Sequence, residues 1–354
     1  MTIAIDCRWI DSSGIGVYLR ECLPYFLETN NNYFLLGDSK KLSQYVSSRN
    51  NFSILDCSVK PFSIKELFFF PRKLLKVINT CDAYYSPYFN IPTSIKIPVY
   101  TTIHDIIFPD IPELTSPFGL KVRMWFYRRA FSKSKKIFTV SEFSKSRIEF
   151  YSKKRIPVIV TYSAIQKHYL AYKTDKVNKK NIILFIGNIK KHKGLGCLIE
   201  AFMLARSEGL AFQLVIIGSK DNFRTIDNEF LIKIDQLDPE TVTFSGFISD
   251  IKLGEYLSSA ALLVQPSLYE GFGLPPLEAM ALGTRVLLSD IPVFREIYKN
   301  FPVVFFKAGD TEDLKTKIME MLYNKEISSI ELSDELLYKY NFGKTAGIIM
   351  GEIE

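Results

Sequence analysis

Short apolar runs alternate with longer amphipathic stretches along nearly the whole chain. Thr2 to Asp6 reads as a first strand, and from Ile15 the apolar residues Ile15, Leu19, Cys22, Leu23 and Phe26 recur at helical spacing. Further strands are predicted at 33–36, 52–55, 83–85, 99–103, 136–140 and 158–160, with helical or irregular segments between them. A second series follows at 181–187, 213–218, 241–244, 261–264 and 285–290. Its helices include one with Leu195, Leu198, Ile199 and Phe202 on one face and a later one ending near Tyr323. Such alternation predicts an α/β protein with parallel sheets. The polar, lysine-rich stretch 166–180 interrupts the rhythm and reads as a linker. The expected organisation is therefore a first domain over 1–170, a second over 171–330, and a terminal helical segment over 331–354.

Composition sharpens this picture in three ways. At 354 residues, 47% apolar and 23% charged, the chain is long enough to bury two cores. Five scattered cysteines form no C-x-x-C pair, so neither a disulfide framework nor a zinc site is indicated, and a reducing cytoplasm fits. The first residues lack a basic leader followed by an apolar core, and no apolar run approaches bilayer-spanning length, so a cytoplasmic chain without a membrane span is expected. The net charge of +7 is unevenly distributed: residues 1–170 hold 24 basic and 13 acidic side chains, a surplus of 11, whereas the remainder holds 21 and 25, a deficit of 4. An acidic partner for the first half is implied.

Two stretches in that half combine bases with apolar side chains. Leu67 to Lys76 carries Phe68, Phe69 and Phe70 beside Arg72, Lys73 and Lys76, which suits docking on a membrane or holding a lipid-linked acceptor, although a core-facing helix with a solvated edge is its commoner meaning. Between Glu113 and Glu142 no acidic residue occurs, while seven bases alternate with Phe118, Trp125, Phe126, Tyr127 and Phe131. An anionic membrane surface or a polyprenyl phosphate ranks first as the partner of this 118–136 stretch, a solvated basic face second. Nucleic acid ranks last, because no nucleic-acid motif accompanies it.

Candidate chemistry sits on loops. Gly14-Ile15-Gly16 opens a helix after the first strand, where free amide groups favour an anion, although a tight turn explains the pair equally well. His104 follows the strand near 99–103, with Asp105 placed either to orient its ring or to cap the next turn. Ser141 reads as the N-cap of a helix. Asn188-Ile189-Lys190-Lys191-His192-Lys193 places cations on a loop just before a helix, an arrangement suited to a diphosphate. In Pro266 to Met280, Gly271 and Gly273 let backbone amides approach a ligand, and the adjacent Pro275 and Pro276 start a helix that makes Glu278 rigid while Glu270 stays on the loop.

The segment Glu270-Gly271-Phe272-Gly273-Leu274-Pro275-Pro276-Leu277-Glu278-Ala279-Met280-Ala281 resembles the retaining nucleotide-sugar glycosyltransferases of family GT4, which have the GT-B fold. Asp6-Cys7-Arg8-Trp9 with Ser13-Gly14-Ile15-Gly16-Val17-Tyr18, Thr101-Thr102-Ile103-His104-Asp105 and Gly187-Asn188-Ile189-Lys190-Lys191-His192-Lys193 are similar to other loops of that family. The resemblance implies two Rossmann-like domains with parallel sheets facing across a cleft, the second holding a nucleoside-diphosphate sugar and the first an acceptor. It gives Glu270, with the backbones of Phe272, Gly273 and Leu274, to the donor sugar and phosphates, and Glu278 to the ribose. Lys193, then Lys190, would neutralise the leaving diphosphate, where many relatives have an arginine. His104 would lie beside the donor sugar, Gly14 and Gly16 would face the diphosphate, and Asn188 belongs to the donor loop. No cofactor is implied beyond the donor itself, and no metal, since no Asp-x-Asp triplet occurs.

The expected activity is retaining transfer of a hexosyl group, mannosyl or rhamnosyl favoured, to a glycan or polyprenyl-diphosphate-linked acceptor of a bacterial surface polysaccharide. Such an enzyme would be peripheral on the inner face of the plasma membrane. The competing expectations are a non-catalytic GT-B subunit binding glycan or a partner transferase, and another GT-B sugar-nucleotide enzyme such as an epimerase or phosphorylase. A dinucleotide oxidoreductase is weaker, because Gly14-Ile15-Gly16 lacks the third glycine of that fingerprint.

Overall fold

The computed structural model describes residues 1–46, 51–171, 178–218, 237–323, 330 and 332–354. It divides into two compact units, one formed by Met1–Gln166 with Tyr338–Glu354 and the other by Lys167–Leu337.

The first unit is built on β1 (Thr2–Asp6), β2 (Asn32–Gly37), β3 (Phe52–Asp56), β4 (Ala83–Ser86), β5 (Val99–Thr102), β6 (Ser134–Thr139) and β7 (Val158–Val160). All neighbours pair in parallel, in the order β3-β2-β1-β4-β5-β6-β7. Helices cover both faces of such a sheet, so β4 and β5 are buried throughout and carry β-branched and aromatic residues instead of an alternating pattern. Their hydroxyls are satisfied internally, as where the Tyr85 and Thr102 hydroxyls meet at 2.7 Å. Helix Pro117–Lys133 sends Phe126, Tyr127 and Ala130 into the core. The helix after β1 starts at Ser13, two residues before the first apolar position that signals it, and the C-terminal helix Phe342–Ile353 packs along it. Ser141 caps helix Glu142–Ser152 by accepting from the Ser144 amide at 3.0 Å.

The second unit contains β8 (Lys180–Ile186), β9 (Gln213–Ile217), β10 (Val242–Gly246), β11 (Ala260–Gln265), β12 (Arg285–Ser289) and β13 (Val304–Phe306), ordered β10-β9-β8-β11-β12-β13 and again wholly parallel. The three-residue edge strand β13 is absent from the sequence expectation. Helices Leu195–Ser207 and Thr311–Tyr323 bury Leu198, Phe202, Leu314 and Ile318 against β8, β9 and β11. The expected linker over 166–180 overlaps regular elements, since Lys167–Ala171 is helical and β8 begins at Lys180, while 172–177 lie outside the described residues.

Each sheet reverses its winding once, between β1 and β4 in the first unit and between β8 and β11 in the second. At such a point the loops leaving adjacent strands diverge to opposite faces, and the crevice they leave at the carboxyl edge is where open α/β sheets bind ligands.

Candidate active site

In the second unit the loops after β8 and β11 meet at the winding reversal. Lys190 enters a 3-10 turn, Lys191–Lys193, and Gly194 follows at φ +69° as the N-cap of helix Leu195–Ser207. Any side chain at Gly194 would run into the Pro266 carbonyl, so only glycine permits both the left-handed backbone and the close approach. The Leu268 amide donates to the His192 carbonyl at 2.7 Å and joins the loops directly.

Their junction is an ion pair between Lys193 Nζ and Glu270 Oε1 at 2.6 Å, with side chains 19% and 11% exposed. Ser267 Oγ donates to the same oxygen at 2.8 Å, and Gln265 Nε2 lies 3.5 Å away. Among the described residues every hydrogen bond of the carboxylate falls on Oε1, and Oε2 remains an acceptor for another group. Burial pushes the Glu270 carboxyl up, but the Lys193 charge and these hydrogen bonds outweigh it, and the group is held below its usual range. Burial, with the charges of Lys193 and Lys190, lowers His192 to about 4 against the pull of Glu270, so the ring is neutral near pH 7. Asn188 is half-buried on the same loop, after Gly187, whose carbonyl occupies the space that a side chain on Gly218 would need.

Past Glu270 the chain turns sharply. Phe272 is buried, Gly273 adopts φ +88° against the Phe294 ring, and helix Leu274–Ala281 starts one residue before Pro275. The Tyr298 hydroxyl donates to the Gly273 carbonyl and so fixes that turn. Glu278 lies 4% exposed inside the helix. Asn188, Lys190, Lys193, Glu270, Phe272, Gly273, Leu274 and Glu278 therefore belong to one loop system of the second unit.

The remaining sequence candidates lie in the first unit. Gly14 is exposed in the first helical turn, whereas a Cβ on buried Gly16 would stand 2.5 Å from the Ile10 carbonyl oxygen, so Gly16 is demanded by packing. His104 follows β5 and bonds through Nε2 to the Pro87 carbonyl at 3.0 Å, which requires Nε2–H and makes Nδ1 the acceptor of the neutral ring. Burial lowers this ring to about 4 in spite of that bond. Tyr18, from the helix that Gly14 and Gly16 open, packs edge-on against it at 5.1 Å. Asp105 accepts from the Ile107 amide at 3.2 Å, a contact that fits the turn-capping role expected as one of two.

Sequence reasoning missed the braces. Ser267 and Gln265 stand three and five residues before Glu270, and an acidic loop residue with a hydroxyl at that spacing is the signal that was available. It also missed a buried charge cluster beside the first unit's winding reversal. Arg8 binds Asp6 through Nε at 2.8 Å and Nη2 at 2.5 Å, and Glu66 through Nη2 at 2.6 Å, all three side chains being 2% exposed or less. Tyr84, Asn90 and the Phe62 amide supply further donors to the two carboxylates.

Similarity to solved structures defines the class: the chain has the GT-B fold. It superposes on the Anabaena protein Alr3699/HepE, solved in complex with UDP and glucose, with a TM-score of 0.73 at 16% identity, covering 100% of this chain and 99% of that one. More particularly, residues 170–335 match the family model "Glycosyl transferases group 1". Over 205 residues the chain is 30% identical to the O-antigen chain mannosyltransferase RfbU of Salmonella typhimurium, covering 56% of this chain and 54% of that protein. Over 252 residues it is 25% identical to O-antigen chain mannosyltransferase B of Escherichia coli, covering 68% and 65%. The matches thus span from about half to just under two thirds of these relatives' lengths.

Proposed function

We propose that this protein is a retaining, metal-independent hexosyltransferase. It moves a mannosyl group, with rhamnosyl as the next choice, from a nucleoside-diphosphate sugar to a glycan acceptor carried on a lipid diphosphate, in assembly of a bacterial surface polysaccharide. The observation that carries the reading is the Lys193–Glu270 pair at the carboxyl edge of β8 and β11, one group suited to an anion and the other to hydroxyls. Similarity to O-antigen mannosyltransferases supports the sugar class and the pathway.

The chemistry follows from the charges. As the anomeric carbon–oxygen bond to the diphosphate breaks, negative charge grows on the leaving oxygens, and Lys193 and Lys190 offset it with no reorganisation at that moment. Oε2 of Glu270 accepts from a sugar hydroxyl and orients the donor, while Glu278 takes the ribose hydroxyls and the amides after Phe272 approach the phosphates. The acceptor oxygen forms the new bond on the face the diphosphate leaves. Its proton passes to a departing phosphate oxygen, so no protein base is consumed. His104, neutral near pH 7, offers Nδ1 as an acceptor without adding charge. Metal independence rests on the missing Asp-x-Asp triplet, and unchanged turnover in excess chelator is the expected result.

The first test is a thermal shift with GDP, dTDP, UDP, CDP and ADP, on the wild type and Glu278→Ala. A ligand at ~100 times its dissociation constant adds about 2.7 kcal/mol of stability. Stabilisation of the wild type alone by one diphosphate identifies the donor class, and product analysis by NMR then reads the anomeric configuration. Stabilisation by none of the five overturns the reading in favour of a non-catalytic glycan-binding subunit.

A further inference from the structure

We propose that the first unit docks on an anionic lipid bilayer through a surface made jointly by Ile64–Lys76 and helix Pro117–Lys133. The helix carries Phe118, Lys121, Val122, Trp125 and Arg128 on one outward stripe, at the i, i+3, i+4, i+7, i+10 spacing of a single face. Phe118 is 77% exposed and Trp125 49%, although Phe126, Tyr127 and Ala130 on the opposite side are buried. Ile64, Phe68 and Phe69 are each at least 70% exposed. Within the Leu67–Lys76 stretch, then, only part of the apolar cluster is core: Phe70 turns inward, and the two phenylalanines before it face solvent.

The two segments adjoin. The Phe62 and Phe126 rings meet at 4.7 Å, Thr93 Oγ1 donates to the Leu67 carbonyl at 2.5 Å, and Arg129 donates to the Ile91 and Pro92 carbonyls of the same loop. Large apolar side chains standing out of a folded surface on two adjoining segments mark an interaction site.

Charge selects the partner. Lys65, Arg72, Lys73, Lys76, Lys121, Arg128 and Lys133 are exposed on these segments, and the single acid within them, Glu66, is buried against Arg8. Aromatic and aliphatic groups that enter the headgroup layer, ringed by bases and free of exposed acids, fit an anionic bilayer. Among the described residues no helix is long and apolar enough to cross a membrane, so contact through this surface is interfacial. The inference stands apart from the transferase reading, because its test uses neither donor nor acceptor.

The test is co-sedimentation of the full chain with vesicles of phosphatidylglycerol and phosphatidylcholine, against phosphatidylcholine alone. Binding to the anionic vesicles is expected, falling with added salt, and weakened about fivefold for each base removed in Lys121→Gln and Arg128→Gln. Phe68→Ser with Trp125→Ser should reduce binding more than tenfold with an unchanged melting temperature, whereas Phe247→Ser, at a 91% exposed position of the second unit, should leave it intact. Equal binding to neutral vesicles, no binding to either, or full binding by the Phe68/Trp125 variant overturns the proposal. Concentration-dependent self-association without lipid, lost in that variant, also overturns it by making the face an interface between copies.

Discussion

Both sheets set charged side chains beside their winding reversal, and the two sets differ in what they leave over. In the first unit Arg8, Asp6 and Glu66 are sealed from solvent, and Tyr84, Asn90 and the Phe62 amide complete the carboxylates. In the second, Lys193 and Glu270 remain partly open, with Oε1 crowded and Oε2 uncommitted. A sealed and satisfied cluster fixes a fold. An open and unsatisfied one can exchange partners with a ligand, so the charges beside the reversal brace the fold in the first unit and, in the function proposed above, bind a ligand in the second.

The largest effect that tests this contrast is Arg8→Met. Removing the guanidinium strands two buried carboxylates, and a loss of about 3–5 kcal/mol in denaturant unfolding is expected. A loss below ~1 kcal/mol would mean that water already reaches the cluster, and the contrast would collapse. The mirror experiment is Lys193→Met. Turnover should fall about 10²–10³-fold, as when one donor to a developing oxyanion is removed. Stability should fall by no more than about 2 kcal/mol, because Glu270 keeps Ser267 and its outer oxygen stays accessible. An equal stability loss in both variants would show that the second pair is a brace as well.

A smaller effect lies in pH, since a neutral histidine flanks each reversal. His104 and His192 both sit at about 4, below the ordinary imidazole range. Between that value and about 6.5 the unfolded chain binds more protons than the folded one. Stability is therefore complete above that window and declines as pH falls through it. Each histidine adds at most about 1.4 kcal/mol per pH unit to the slope. Glu270, held low by Lys193, adds a loss in the same direction further down, as pH falls through its folded value. Replacing either histidine by Gln should flatten the slope, and an unaltered slope in both variants would refute the depressed values.

How much of this was legible depends on the range of the signal. Of the thirteen strands among the described residues twelve announced themselves, because a parallel strand buried on both faces is a short apolar run between turns, and β13 is the exception. The residues proposed to hold the donor between Glu270 and Glu278 were visible because they form one continuous stretch. The pairing of Lys193 with Glu270 joins positions 77 apart, and Arg8 meets Glu66 across 58, distances at which periodicity is silent. The need for glycine at 194 is silent in the sequence for the same reason, since the Pro266 carbonyl that forbids a side chain there comes from another strand's end.

The smallest effect is the most discriminating, since it asks whether the brace behind Glu270 is complete. Gln265 is 1% exposed, donates weakly towards Glu270 at 3.5 Å and to Ser267 Oγ at 3.2 Å, and its Oε1 is buried with no hydrogen-bond partner among the described residues. Ser267, by contrast, is held at both ends, since its carbonyl accepts from Ser289 Oγ at 2.5 Å while its hydroxyl serves Glu270. Ser267→Ala should therefore cost about 1 kcal/mol, seen as a loss of up to tenfold in kcat/KM, because the carboxylate keeps only the Lys193 bond and the weak Gln265 contact. Gln265→Leu removes an unsatisfied buried acceptor along with two weak donations, so its stability should change by less than ~1 kcal/mol. A destabilisation of 2 kcal/mol or more in that variant, on the scale of losing a buried satisfied group, would show that Oε1 has a partner in solution. The second cluster would then be closed on its inner side as firmly as the first, with Oε2 its single open valence.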